Sequence, residues 1–323
     1  MQRVSKLLKY ADLGGTGIEV APFFNPAVPK RSGNDVFIID VFETGKLREI
    51  AETDVDIPNE RIHEIEEVDF VGDACQVGMF VKEASLTGRL SYIISSHNFE
   101  HLPNPILFLQ GCSDALKEGG VLSMAVPDYR ACFDYYRMPT RLSDWLKAYH
   151  ENRKKPSPET VFDNDTMGCR YIKNGKSLPG CNIAKDDPGK FIANRQLVSA
   201  YEQYQSSIHA QGSYRDVHCS VLFPELLELL FRDLRHMGLM DLDLIEVTRT
   251  HGLEFFVHLR KSNEKSAGDD EEFYARRDVL LKEVSRNVGA APYNICFSTS
   301  AYRNMRAVLS RFRRSVKRLF VNN

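Results

Sequence analysis

Short apolar runs near the start limit most sharply what this chain can become. They are GIEVA at 17–21, VFIID at 36–40, LSYIIS at 90–95 and GVLSMAV at 120–126. A weaker run, IEEVDFV, occupies 65–71. Each is brief, rich in β-branched residues and bounded by Gly, Pro, Asn or Asp, so each predicts a strand. Runs apolar on both faces belong in a buried parallel sheet. Between the last two strands, 105–118 has a helical period, with Ile106, Leu109 and Leu116 on one side and Gly119-Gly120 as its stop. Strand and helix in alternation predict an α/β, doubly wound, Rossmann-like sheet.

The rhythm breaks over 138–211, which is rich in Lys, Asn, Asp, Gly and Pro, with helical pieces near 141–150 and 195–210. This stretch reads as an insertion, a cap over the active site. Asp163-Asn164-Asp165 within it reads as a solvated loop. The rhythm resumes at 224–237, a helix with Leu226, Leu227, Leu230 and Leu234 on one side. Strands at 242–248 and 253–259, joined at His251-Gly252, predict an antiparallel hairpin. The main domain is therefore expected over 1–261. A polar linker at 262–272 and a helical basic tail at 273–323 follow.

The tail carries Arg303, Arg306, Arg311, Arg313, Arg314, Lys317 and Arg318 beside an apolar stripe of Tyr302, Met305, Leu309, Phe312, Val316 and Leu319. Such a helix suits an anionic membrane surface, a protein partner, or a second subunit in a homo-oligomer. No stacking aromatics interleave with its charge, which argues against nucleic acid, as does the formal net charge of -2. The amino terminus carries charges too early for a secretory signal, and no apolar stretch is long enough to span a bilayer. The seven cysteines are scattered without a CxxC pair. Free thiols, a cytoplasmic location and no metal centre are expected. With the basic tail, that location extends to the inner face of the membrane.

Polar residues crowd the carboxyl ends of the strands, the edge where such sheets bind ligands. The first strand runs into Ala21-Pro22, the second ends in Asp40, and the third is followed by Gly72-Asp73-Ala74. After the fourth come His97, Asn98 and His101; after the fifth come Asp128, Asp134 and Arg137. An acid ending the second strand can accept hydrogen bonds from ribose hydroxyls. The glycine-rich LGGTG at 13–17 precedes its strand instead of following it, so it is no pyrophosphate cradle. A cofactor without phosphates matches better.

The segment from Gly17 to Arg137 resembles the class I S-adenosylmethionine-dependent methyltransferases. GIEVAPFFNP, FIID, VGDA, SHNFEHLPNPILFLQGCSDALKEGGVLSMAVPD and EFFVHLRK carry the likeness, which covers roughly residues 13 to 261. More narrowly, SHNFEH, AVPDYRACFDYYR and DVHCSVLFPELLELL resemble a bacterial subgroup associated with surface polysaccharide biosynthesis. The resemblance implies S-adenosyl-L-methionine as cofactor. It places Glu19 at the first strand's acidic position with Ala21 in the turn, where many members carry glycine. Asp40 falls on the ribose, Asp73 and Ala74 on the adenine side, and His97 and Asn98 along the methionine or adenine edge. It implies O-methylation of a sugar hydroxyl in a polysaccharide or its precursor. The alternative is a non-catalytic methyltransferase-fold module that binds or assembles glycan machinery.

A sugar hydroxyl is a poor nucleophile and benefits from a general base. His101 and His218 suit that role at neutral pH, with Asp128 a carboxylate alternative. Asp216 can orient the His218 imidazole, or both can touch substrate or a divalent metal; a solvated turn is the other reading. Asp134 and Arg137 are candidates for acceptor hydroxyls, a buried salt bridge being the other reading. Arg153, Lys154, Lys155, Arg170, Lys173 and Lys176 make the insertion locally basic, which suits an anionic glycan acceptor.

Overall fold

The computed structural model describes residues 2–54, 57–209, 215–263 and 270–288. After helix α1 (Gln2–Leu7), the first half alternates strand and helix as expected: β1 (Gly17–Val20), β2 (Val36–Asp40), α2 (Thr44–Thr53), β3 (Phe70–Val71), α3 (Val77–Glu83), β4 (Leu90–Ser96), α4 (Pro105–Ala115) and β5 (Leu116–Pro127). The insertion follows, with α5 (Leu142–His150), α6 (Pro158–Met167), β6 (Cys169–Lys173), β7 (Lys176–Leu178), β8 (Phe191–Ala193) and α7 (Leu197–His209). Then come α8 (Pro224–His236), β9 (Leu242–Val247), β10 (Glu254–Lys261) and α9 (Asp270–Val288).

Seven strands make one sheet in the order β3-β2-β1-β4-β5-β10-β9. β1 pairs in parallel with β2 on one side and β4 on the other, so the strand order reverses there. β10 runs antiparallel to both β5 and β9, which establishes the expected hairpin. The fold class is that of a Rossmann-like α/β sheet with a terminal antiparallel hairpin.

Side-chain alternation sorts the strands onto two faces. Ile18, Val20, Ile93, Leu122, Met124, Phe255 and Val257 join α3, α4 and α8 in the main core. Tyr92, Ile94, Ala125 and Phe256 point the other way, onto Leu7 of α1 and Val28 of the β1–β2 connection. That second face has no long helix between β1 and β2; residues 21–35 hold only a 3-10 turn at Lys30–Ser32.

Several elements differ from expectation. The third strand shrinks to Phe70–Val71, because the acids ahead of it serve other partners. Asp69 accepts the Ile38 amide at 2.6 Å, and Glu66 accepts the Lys30 amide at 2.7 Å. Helix α4 stops at Ala115 instead of running to Gly119, because Leu116 is drawn into the ladder opposite Leu90. Gly119, at φ 78°, then sits in the irregular stretch where the register shifts. The 163–165 segment lies in α6, not in a loop, and Asp165 pairs with Arg215 at 2.7 Å. The small sheet β7-β6-β8 was not foreseen. It is fastened to the loop after β5: Cys169 N–H donates to Phe133 O at 2.9 Å, and Cys181 N–H to Ala131 O at 2.7 Å. The basic helix expected at 301–320 lies outside the described residues. No helix among those described is long and apolar enough to cross a membrane.

Candidate active site

The strand order reverses between β1 and β4, and such sheets bind ligands outside the carboxyl ends of their strands at that point. Glu19, however, faces back into the fold. Its carboxylate, 2% exposed, accepts the Ala27 amide at 2.7 Å and the Val28 amide at 2.9 Å. Burial pushes this carboxyl up to about 7, against the downward pull of the two amides. Glu19 is therefore the internal anchor of the β1–β2 connection, and its expected contact with a cofactor gives way. Ala21 holds a left-handed conformation at φ 49°, and Phe23 does so at φ 48°. An alanine there bears the strain that a glycine would avoid.

Asp40 ends β2 almost fully buried, and its carboxylate accepts the Phe42 amide at 3.2 Å. Burial raises its pKa against backbone hydrogen bonds from Phe42 and Val41. Asp73 caps the turn that carries Ala74 by accepting the Cys75 amide at 2.9 Å.

A second group of side chains forms where the turn after β4 meets the strand-like segment before α8. Cys219 and Ser220 amides both donate to Glu100 O, at 2.7 and 2.9 Å, which brings His218 beside the turn Phe99–His101. The His101 and His218 rings meet edge-on with centres 4.6 Å apart. The expected partner of His218 is corrected: Asp216 lies 2.8 Å from His101 Nδ1, whereas His218 Nδ1 bonds Asp134 Oδ2 at 2.5 Å. Asp134 also accepts from Arg137 Nη1 at 2.7 Å. Asp134 and Arg137 are thus a buried salt bridge behind His218, and not groups open to acceptor hydroxyls.

Charge in this cluster is tightly interlocked. Burial works to raise Asp134, but His218 and Arg137 hold its pKa below the ordinary carboxylate value. Burial works to lower His101, and the carboxylates of Asp216 and Glu100 more than offset that, so its pKa is raised. At the centre stands Glu100, 1% exposed, which the sequence reading did not place among the site residues. Neither of its carboxylate oxygens has a hydrogen-bond partner among the described residues. Its Oε1 lies 3.9 Å from His101 Nε2, 3.9 Å from His218 Nε2 and 3.6 Å from His97 Nδ1.

His97, at φ 52°, is held from the far side by Glu254 of β10, 2.8 Å from its Nε2. Arg3 of α1 clasps the same carboxylate with two bonds of 2.8 Å. Asn98 donates to Ser95 Oγ at 3.3 Å. Asp128 is no base. Its carboxylate takes Arg130 Nε at 2.9 Å, Arg130 Nη2 at 2.6 Å, the Arg130 amide at 3.0 Å and the Thr250 hydroxyl at 2.5 Å. Those bonds saturate it away from the histidines.

His101, Asp216 and His218 form one wall of a cleft of about 560 Å³. The small sheet of the insertion forms the other wall, with Arg170, Ser177 and Asn194 presenting polar groups to it. Lys173 is spent on Asp186 at 2.8 Å and Arg153 on Glu151, and of the insertion's six basic residues named above Arg170 is the one that lines this cleft. Sequence motifs had pointed to the histidines. Glu100 was legible only as a polar residue in the same turn, and Glu254 as part of a strand.

No protein-family model and no curated protein matches this sequence. Among solved structures, a Pyrococcus horikoshii protein is 15% identical, covering 80% of this chain and 89% of its own at a TM-score of 0.38. An S-adenosylmethionine-dependent methyltransferase from Aquifex aeolicus is 12% identical, with 81% and 98% covered and a TM-score of 0.36. Another from Archaeoglobus fulgidus is 13% identical, with 80% and 92% covered and a TM-score of 0.33. At such identities and scores the likeness carries no argument about activity.

Proposed function

We propose that this chain is an S-adenosylmethionine-dependent methyltransferase that O-methylates a sugar hydroxyl of a polysaccharide or its precursor. The observation that carries the cofactor reading is Asp40, a buried carboxylate ending β2 beside the point where the strand order reverses. A carboxylate there can receive a ribose diol. The donor set fits an S-adenosyl group. Asp40 suits the ribose diol and Asp73 the adenine side. The turn after β1 carries Ala21-Pro22, not the glycines a pyrophosphate requires. When bound, the sulfonium supplies an already activated methyl group. The protein's work is then to align the acceptor and exclude water.

The acceptor reading rests on the polar cleft between the histidines and the insertion. Asn194, Ser177 and Arg170 offer hydrogen bonds suited to a glycan, and the imidazoles of His101 and His218 line the same cleft. The non-catalytic module would keep the fold without this constellation, whereas a buried Glu100 facing two imidazoles is costly to keep for scaffolding alone.

Calorimetric titration with S-adenosylhomocysteine tests the cofactor. Micromolar binding that is lost in Asp40→Ala supports the reading. Absence of binding in the unaltered protein overturns it. Transfer of labelled methyl groups to a panel of sugars and nucleotide sugars tests the acceptor.

A further inference from the structure

We infer that Glu100, His101 and His218 form a binding site for one divalent first-row transition-metal ion, opening onto the acceptor cleft. The ligand atoms these residues offer lie within 4.8 Å of one another. Glu100 presents a carboxylate that is 1% exposed and has no hydrogen-bond partner at either oxygen among the described residues. A carboxylate so buried is costly without a partner, and among the described residues none hydrogen-bonds to it. Three imidazole nitrogens stand around it without a hydrogen bond, His97 Nδ1 at 3.6 Å and His101 Nε2 and His218 Nε2 at 3.9 Å; His97 is held from its far side by Glu254. Ligands around a tetrahedral zinc ion, bound at about 2.0–2.1 Å, sit roughly 3.4 Å apart. The two Glu100–histidine distances exceed that spacing by about half an ångström.

The surroundings argue the same way. Both histidines turn Nδ1 toward a carboxylate, His101 to Asp216 at 2.8 Å and His218 to Asp134 at 2.5 Å. This leaves both Nε2 atoms on the side of Glu100. The carboxylate hydrogen-bonded behind His218 fixes its ring and tautomer and raises ligand basicity, the usual support of a metal-bound histidine, while Asp216 approaches His101 Nδ1 without hydrogen-bond geometry. Asp134 is braced in turn by Arg137. Two imidazoles with one carboxylate select zinc, cobalt, manganese or iron(II) over magnesium or calcium, which prefer all-oxygen sets. Three protein ligands leave coordination positions open, and His101 and His218 both line the cleft. There the ion would hold a water or a sugar hydroxyl. That role, though not the ion binding itself, rests on the function proposed above. The sequence expectation of no metal arose because the ligands come from positions 100, 101 and 218, a spacing that resembles no local motif.

The test uses the full chain, stripped with a chelator and titrated with cobalt(II) while visible absorption is recorded. One equivalent should bind, with ligand-field bands of four- or five-coordination, and zinc(II) should displace it. The zinc(II)-loaded protein should melt at a higher temperature than the stripped one, a readout that needs no variant. Glu100→Gln and His218→Gln should each weaken cobalt(II) at least 100-fold, and metal-free Glu100→Gln should be no less stable than the stripped parent. The inference is overturned if the unaltered protein gives no cobalt(II) bands and no melting shift. It is equally overturned if binding survives both substitutions. S-adenosylhomocysteine titration of the stripped protein reads the cofactor separately, so either idea can fail without the other.

Discussion

His218 Nδ1 and Asp134 Oδ2 lie 2.5 Å apart although 84 residues separate them in sequence. The contact joins the segment before α8 to the loop after β5, and Arg137 extends it inward. Asp134→Asn would leave the Arg137 guanidinium buried with its partner's charge removed. A stability loss of about 3–5 kcal/mol is expected in urea denaturation. A loss below ~1 kcal/mol would mean that solvent reaches this pair.

Glu19 is predicted to be structural. In Glu19→Gln one amide donor would face the new NH2 group in place of an oxygen. The expected cost is about 1–3 kcal/mol. Hydrogen exchange at the Ala27 and Val28 amides should accelerate before exchange elsewhere does. Unchanged exchange at those two amides would remove the anchor role.

Ala21→Gly should act in the opposite direction. The left-handed conformation at φ 49° strains an alanine by about 1–2 kcal/mol, part of which is returned by the extra freedom of glycine when unfolded. A net gain of about 0.5–1 kcal/mol is expected, together with S-adenosylhomocysteine binding at least as tight. A loss of stability would show that the Ala21 methyl packs usefully.

Two buried groups should balance each other in the pH dependence of stability. Burial lowers His258 from 6.5 to about 4; its Nδ1 bonds Ser123 at 2.9 Å and Tyr10 packs on its edge. The unfolded chain binds this proton more readily, so the contribution is full above 6.5 and lost as pH falls through about 4. Glu19 does the reverse. Its folded pKa of about 7 exceeds 4.5, so its contribution is full below 4.5 and lost as pH rises through about 7. Between these limits the slopes oppose. His258→Gln should therefore unmask Glu19, with stability falling from pH 5 to 7 by up to ~1.4 kcal/mol per pH unit. Urea midpoints at each pH decide it, and a flat profile in the variant would contradict the Glu19 shift.

The sheet was legible because its strands are continuous apolar runs whose burial leaves no polar alternative. The hairpin at His251-Gly252 was legible for the same reason. The insertion was harder. β7 and β8 have three residues each and leave most of them exposed, so no period develops. Helix α6 mixes acids and apolar residues without a clear stripe. For the site, sequence order could group His97, His101 and Asp128 at strand ends, but it could not assign partners. Asp216 is two residues from His218 and was paired with it, whereas the fold turns it to His101 and brings Asp134 from the loop after β5 instead. Asp128 looked like Asp134 in sequence; only the neighbouring Arg130 and Thr250 distinguish a saturated carboxylate from one that serves a histidine.

Glu254 holds His97 on one side and Arg3 on the other, and it sits on a strand that enters the sheet between β5 and β9. During synthesis, then, the β1 to β5 half can form while both His97 and Arg3 still wait for a partner 157 and 251 residues downstream. A nascent chain shorter than about β10 has an open sheet edge at β5 and an imidazole free to turn. Among the described residues β10 is the last strand to leave the ribosome, and it is the one that covers the β5 edge and brings Glu254 to His97 and Arg3.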